Sequence, residues 1–162
     1  MTSKRERDCT LSPKEIYDYI DHLYEGNAFV QLCGIKTHSI SCGRAAVGLR
    51  LDPAKHTNLN ASIHGGLLMA IMDNATGIAA AAIGKRVVTV SMTVDFIKGA
   101  PVGSLVEAEA YITHRDGNML TMSIHMYDKD HNKLMASGIN SMLIIADFPG
   151  IPEKWEGSYS IL

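Results

Sequence analysis

Two kinds of hydrophobic pattern run through the chain, and each predicts a different element. Near the start, Ile16, Tyr19, Ile20, Leu23 and Tyr24 recur at helical spacing, so one stripe packs and the remainder stays wet. Ser12-Pro13-Lys14-Glu15 supplies the start of that helix. Serine is the N-cap, proline takes the first helical position and glutamate closes a capping box. Gly26 is placed to stop it. Residues 33–51 predict strand, broken near Ser41-Cys42-Gly43, with Ala45, Val47, Leu49 and Leu51 alternating with Ala46, Gly48 and Arg50. After a loop over 52–61, a second helix is predicted over about 63–83 and ended by Gly84. It differs from the first. Between His64 and Lys85 its one charged side chain is Asp73, so it reads as buried nearly all round.

Four alternating segments follow. Over 87–97, Val88, Val90, Met92, Val94 and Phe96 share one face, and Thr89, Ser91, Thr93 and Asp95 the other. Over 105–113 the apolar face is Val106, Ala108, Ala110 and Ile112; over 119–127 it is Leu120, Met122, Ile124 and Met126. A last strand is predicted over 134–146. The turns between them carry Gly99 and Pro101, then Arg115-Asp116-Gly117-Asn118. Alternation argues for antiparallel strands with one wet face, against a parallel sheet apolar on both. The expected fold class is therefore α+β, a strongly curved antiparallel sheet wrapped around one long helix. Residues 1–11 are expected to be a frayed basic arm. The tail after Pro149 shows little pattern, and Trp155 is expected to dock it.

Composition narrows the picture only slightly. The 162 residues suffice for one well-packed domain and not comfortably for two. A formal net charge of -2 gives no sign of a nucleic-acid partner. No run of 18 or more apolar residues exists, so no membrane partner is expected. The start MTSKRERD lacks the apolar segment of a signal peptide. Cys9, Cys33 and Cys42 form no CxxC unit and no disulfide framework, which makes a reduced, cytoplasmic location the expectation.

The misfit in the second helix is where chemistry is sought. Burying one carboxylate costs several kcal/mol unless something pairs with it or uses it. His64 lies nine residues from Asp73. That spacing puts the two on opposite sides of a helix and about 13 Å apart along it. They serve one site only if that site is built between two chains related by a two-fold axis. At the helix start, the first N–H groups are unpaired and lie at the positive end. Gly65 and Gly66 remove the side chains that would screen them, which is the physics of an oxyanion hole; a tight helix–turn contact needs small residues too. Asn58 offers an amide to a bound carbonyl or a water, or closes its own turn. Thr89 offers a hydroxyl that holds a water against Asp73. The histidines have no HExxH or His/Cys spacing, so no metal site is expected, and there is no GxSxG elbow.

Asn58, then His64-Gly65-Gly66, then Asp73, followed by TVSMTVDFIKGAPVG over 89–103 and Arg115-Asp116-Gly117-Asn118, resembles the signature of hotdog-fold acyl-CoA thioesterases of the PaaI-like subfamily. The resemblance covers roughly residues 30–146. It divides the chain into an N-terminal arm and helix (1–29), a hotdog domain (30–146) and a C-terminal tail (147–162). It implies that the long helix is the sausage and the sheet the bun. It further implies homodimers or homotetramers with active sites at the dimer interface, and no cofactor beyond the coenzyme A of the substrate. Carried onto this chain, Asp73 is general base or nucleophile from one subunit, and the Gly65 N–H polarises the thioester carbonyl from the other. Asn58 orients the carbonyl or the water, Thr89 holds that water, and His64 positions the thioester or its loop. Gly66 and Asn74 join the substrate-binding set, and coenzyme A runs past Lys98, Gly99, Arg115 and Asn118. Two other functions stay open: an acyl-CoA hydratase or dehydratase on the same fold, and a non-catalytic acyl-thioester-binding homodimer. Met69, Met72, Met92 and Met122 are flexible candidates to line an acyl pocket. Phenylacetyl-type, hydroxybenzoyl-type and medium-chain acyl groups are all compatible with these residues.

Overall fold

A helix with almost no polar face has to be wrapped, and most of the chain does the wrapping. The computed structural model describes residues 11–162. All of the expected basic arm except Leu11 lies outside them, with Cys9. Leu11 itself packs against the core.

Helix α1 (Pro13–Glu25) starts as expected: both halves of the Ser12–Glu15 capping box are present, and Gly26 is the C-cap. Its buried stripe is Ile16, Tyr17 and Ile20. Tyr17, rather than Tyr19, completes it by donating its hydroxyl to the Thr37 carbonyl at 2.7 Å. A six-residue helix α2 (Ala28–Cys33) follows, capped by Asn27 and ended by Gly34 at φ +73°. It is too short to leave a periodic trace, and it displaces the expected strand start at residue 33. The strand pair is β1 (Lys36–Ser41) and β2 (Arg44–Arg50). A short α3 (Pro53–His56) lies in the next loop.

The central helix α4 spans Gly65–Ala81, two residues shorter at each end than expected. Ile63 instead bridges to Thr57. Four long strands follow, β3 (Lys85–Phe96), β4 (Leu105–Asp116), β5 (Met119–Asp128) and β6 (Lys133–Asp147), and a short β7 (Ser158–Ser160) that the sequence did not announce. All seven strands form one sheet in the order β3-β6-β5-β4-β2-β1-β7, and every pairing is antiparallel. The expected α+β architecture of a sheet curved around one helix is the one observed. Ile71, Met72 and Ala75 of α4 are fully buried, as are Val106, Leu120, Met122, Ile124 and Met126 of the sheet. The tail docks as expected through Trp155, whose Nε1 donates to the Ala82 carbonyl at 2.6 Å.

Strand β3 departs from the simple alternation. Thr89 is opposite Met142 and Ser91 is opposite Ser141, so Val90 is an extra residue, a bulge. One inserted residue flips which side chains face the core. Thr89 therefore faces α4 before the bulge, and Met92 and Val94 face it after. Val88 and Val90, expected on the apolar face, are 44% and 58% exposed. β3 is also an edge strand of this sheet.

Gly48 shows how tightly β2 and β4 are registered. A Cβ there would sit 2.1 Å from the Val106 carbonyl oxygen, a backbone atom that cannot rotate away. Gly48→Ala is expected to destabilise the fold by about 3 kcal/mol, seen as a lower urea midpoint at unchanged slope. A midpoint within error of the parent protein would contradict this packing.

Candidate active site

Asp73 is half-buried on an open side of α4, not sealed in the core as its apolar neighbours suggested. The sheet covers the Ile71, Met72 and Ala75 side of the helix and leaves this sector facing a groove. Its Oδ1 accepts a hydrogen bond from the Thr89 hydroxyl at 2.6 Å and another from Asn140 Nδ2 at 3.2 Å. The Thr89 contact is thus direct. Asn140, fully buried on β6, also donates to Thr76 Oγ1 at 2.8 Å, and Thr76 donates in turn to the Asp73 carbonyl at 2.7 Å. Two neutral donors fix one carboxylate oxygen. The other, Oδ2, has no hydrogen-bond partner among the described residues. Asn140 Oδ1 is likewise a buried acceptor without a donor. The sequence reading missed Asn140; the available signal was one amide inside a strand of small and apolar residues.

The groove beside Asp73 has a volume of about 560 Å³. Asn74 and Gly77 of α4, Val87 to Thr89 of β3, Met142 of β6 and Tyr24 of α1 line it. Asn74 donates Nδ2 to the Ala70 carbonyl at 2.8 Å. Burial, and then the Asp73 carboxylate, push the Tyr24 hydroxyl up to about 12.

The start of α4 forms a second cluster. His64 is the N-cap, and its Nδ1 accepts from the Gly66 N–H at 3.0 Å. The Leu67 and Leu68 N–H groups both reach the His64 carbonyl. The Gly65 N–H alone among these has no acceptor. A Cβ on Gly65 would lie 3.5 Å from the Phe96 ring, which places this helix start against the far end of β3. Asn58 Oδ1 accepts from the Asn60 and Ser62 N–H groups, closing its own turn, and its amide nitrogen has no partner among the described residues. Gly99 adjoins that loop, since a Cβ there would lie 3.1 Å from Ser62 Oγ.

Two half-sites result. Asn58, His64, Gly65, Gly66, Lys98 and Gly99 gather at the Phe96 end of β3. Asp73, Asn74 and Thr89 gather toward its Lys85 end. Arg115 and Asn118 lie with the second group, because Met119 pairs with Leu143 and Leu143 with Val88. Val88 and Lys98 are roughly 30 Å apart along an extended strand. One chain therefore does not assemble the Lys98, Gly99, Arg115 and Asn118 path expected for coenzyme A, because the two turns cap opposite ends of the sheet. Arg115 is also engaged, its Nη1 2.6 Å from Glu153. Hydrogen bonds from Arg115 and Lys85 hold the Glu153 carboxyl down at about 2. Among the described residues no group of three or more His, Cys, Asp or Glu is placed to hold a metal.

Comparison with known proteins gives a consistent picture. Residues 60–135 match the family model described as Thioesterase superfamily. No curated protein sequence matches significantly. Among solved structures, the E. coli PaaI protein from the phenylacetic acid degradation operon aligns with a TM-score of 0.77 at 23% identity, over 84% of this chain and 97% of that one. The TT0310 protein from Thermus thermophilus aligns at 0.67 and 26% identity, over 72% of this chain and 97% of that one. A hypothetical thioesterase protein with coenzyme A from Streptococcus pneumoniae aligns at 0.65 and 14% identity, over 70% of this chain and 90% of that one.

Two tyrosines make the fold sensitive to alkali. Burial lifts Tyr17 to about 12, as it does Tyr24. In the unfolded chain both ionise near 10. Stability is therefore fully present below about pH 10. It falls as pH rises toward 12, by up to about 1.4 kcal/mol per pH unit for each tyrosine. Urea midpoints between pH 9 and pH 11.5 measure this, and Tyr24→Phe should roughly halve the slope. An equal slope after replacing both tyrosines by phenylalanine would refute the assignment.

Proposed function

We propose that the chain is a PaaI-like hotdog-fold member of the thioesterase superfamily, whose model its residues 60–135 match, and that it hydrolyses an acyl-CoA thioester to the free acid and coenzyme A. The observation that carries the proposal is the state of Asp73. Thr89 and Asn140 orient its carboxylate through one oxygen, while the other oxygen stays free beside an open groove. That free Oδ2 takes a proton from a water, and the water oxygen attacks the thioester carbonyl carbon. The developing oxyanion needs donors already in place. The tetrahedral intermediate then expels the thiolate of coenzyme A, which takes the proton back. General-base assistance of this kind is worth about 10²–10⁴-fold.

The oxyanion donor is the unpaired N–H of Gly65 of the partner subunit. An edge strand with exposed apolar residues invites a second copy. Antiparallel self-pairing of β3 about a two-fold axis at Thr93 sets Met92 opposite Val94 of the partner subunit and, past the Val90 bulge, Thr89 opposite Phe96 of the partner subunit. Thr89 holds Asp73, and Phe96 packs on Gly65, so the two half-sites meet. The same axis brings the Lys98 and Gly99 end of one chain toward the Arg115 and Asn118 end of the other, a path for coenzyme A. The neighbour carrying coenzyme A supports that ligand class. A homodimer, or a dimer of dimers, is the active species, and the free thiols Cys33 and Cys42 fit a reducing cytoplasm. Asn58 and His64 shape the loop and the helix start that present the Gly65 amide. His64 Nδ1 is engaged by the Gly66 N–H, which supports a positioning role at the helix start over the proton transfer a hydratase would ask of it.

Asp73→Asn is expected to lower kcat for thiol release at least 100-fold with little change in fold stability. Full activity in that variant would end the proposal. The shared site has its own test. Gly65→Pro removes one N–H at a position where proline suits a helix, and His64 at φ -70° and ψ 127° accepts a following proline. Each single variant should be inactive. Refolding the two together should restore about a quarter of the parent activity, because half of the dimers are mixed and each mixed dimer has one intact site. No recovery from correctly mixed dimers would place both groups in the same subunit's site.

A further inference from the structure

Helix α1 lies before the residues that match the family model, yet its last turn reaches the Asp73 groove. Tyr24 Oη is 2.9 Å from the point where a Cβ on Gly77 would sit. The phenol thus lies against the bare glycine face of α4. Gly77 follows Asp73 by four residues, so it is on the same side of the helix and about 6 Å farther along. Tyr24 Oη makes no hydrogen bond among the described residues.

A second groove of about 410 Å³ lies on the other side of this phenol, with Tyr17, Val30, Ile35 and Ile78 in its walls. Tyr24 and Asn74 line both grooves. We propose that Tyr24 is the end wall of the acyl pocket, closing it one helical turn beyond Asp73 and restricting this protein to short acyl groups. The inference rests on the reading that the acyl-thioester carbonyl sits at Asp73. Carbon–carbon bonds of about 1.5 Å advance a zigzag chain by about 1.3 Å each. A depth of about 6 Å is therefore filled by about five bonds, an acyl chain of about six carbons. The pocket is short because the N-terminal helix stands in it. Without the phenol ring, the Asp73 groove and the second groove would join.

The test is binding of non-hydrolysable S-alkyl-CoA thioethers, from ethyl to decyl, to the full chain and to Tyr24→Ala and Tyr24→Phe. The parent protein should bind more tightly up to about hexyl and then lose at least tenfold by decyl. Tyr24→Phe keeps the ring and should keep that cut-off. Tyr24→Ala should abolish it, binding the decyl thioether at least tenfold more tightly than the parent does. A parent protein that binds decyl as well as hexyl, or that binds no thioether, overturns the proposal. So does a Tyr24→Ala protein of parental melting temperature with the parental length profile. Thiol release from the matching acyl-CoA esters is measured alongside. A length cut-off that depends on Tyr24, without any thiol release, would sink hydrolysis and leave the end wall standing.

Discussion

Everything in this molecule depends on how one carboxylate is tolerated on an apolar helix. Helix α4 offers the sheet a nearly unbroken hydrophobic surface, and covering it fixes the curvature and register of the four long strands. Asp73 interrupts that surface. A cation would neutralise the charge by occupying both carboxylate oxygens, but Asp73 forms no ion pair among the described residues. Instead a hydroxyl and an amide, both neutral, hold a single oxygen. Its second oxygen stays available to a ligand. Asn140 has its own carbonyl buried and unmatched.

The second constraint is distance. The amide at the helix start and the carboxylate in the helix middle project to different sides of α4 and toward different ends of β3. No rearrangement of side chains closes such a gap within one chain. An antiparallel neighbour, as proposed, would close it by symmetry, since each end of a strand would then face the other end of its copy.

Much of this was legible in the pattern of residues. The capping box of α1, the length and apolar character of α4, and the inward faces of β4 and β5 all rest on clear local signals, and the structure follows them. Shorter elements escaped. Six residues of α2 and three of β7 are stabilised by what they dock on, which no local pattern encodes. The face of β3 was misassigned upstream of the bulged Val90 and correctly read for Met92 and Val94 beyond it. Asp73 was expected to be buried, because a sequence shows how apolar a helix is and not which sector the sheet leaves bare. Within the candidate site, Asp73, Thr89 and the Gly65 amide stood out by residue type and position. Asn140 did not, because a lone asparagine looks the same whether it faces solvent or a buried acid. Asn58 is the reverse case: its carbonyl oxygen is committed to its own turn, and only its amide nitrogen remains free.

The bulge at Val90 works as a phase marker in β3. Upstream of it the odd-numbered Val87 and Thr89 look inward, and downstream the even-numbered Met92 and Val94 do. A strand with a single uninterrupted phase could present a polar group to the acid or an apolar wall to the helix middle, but would have to sacrifice one to keep the other. The extra residue lets one strand serve two environments in succession. Insertions and deletions in β3 are therefore tolerable only in pairs that preserve both phases.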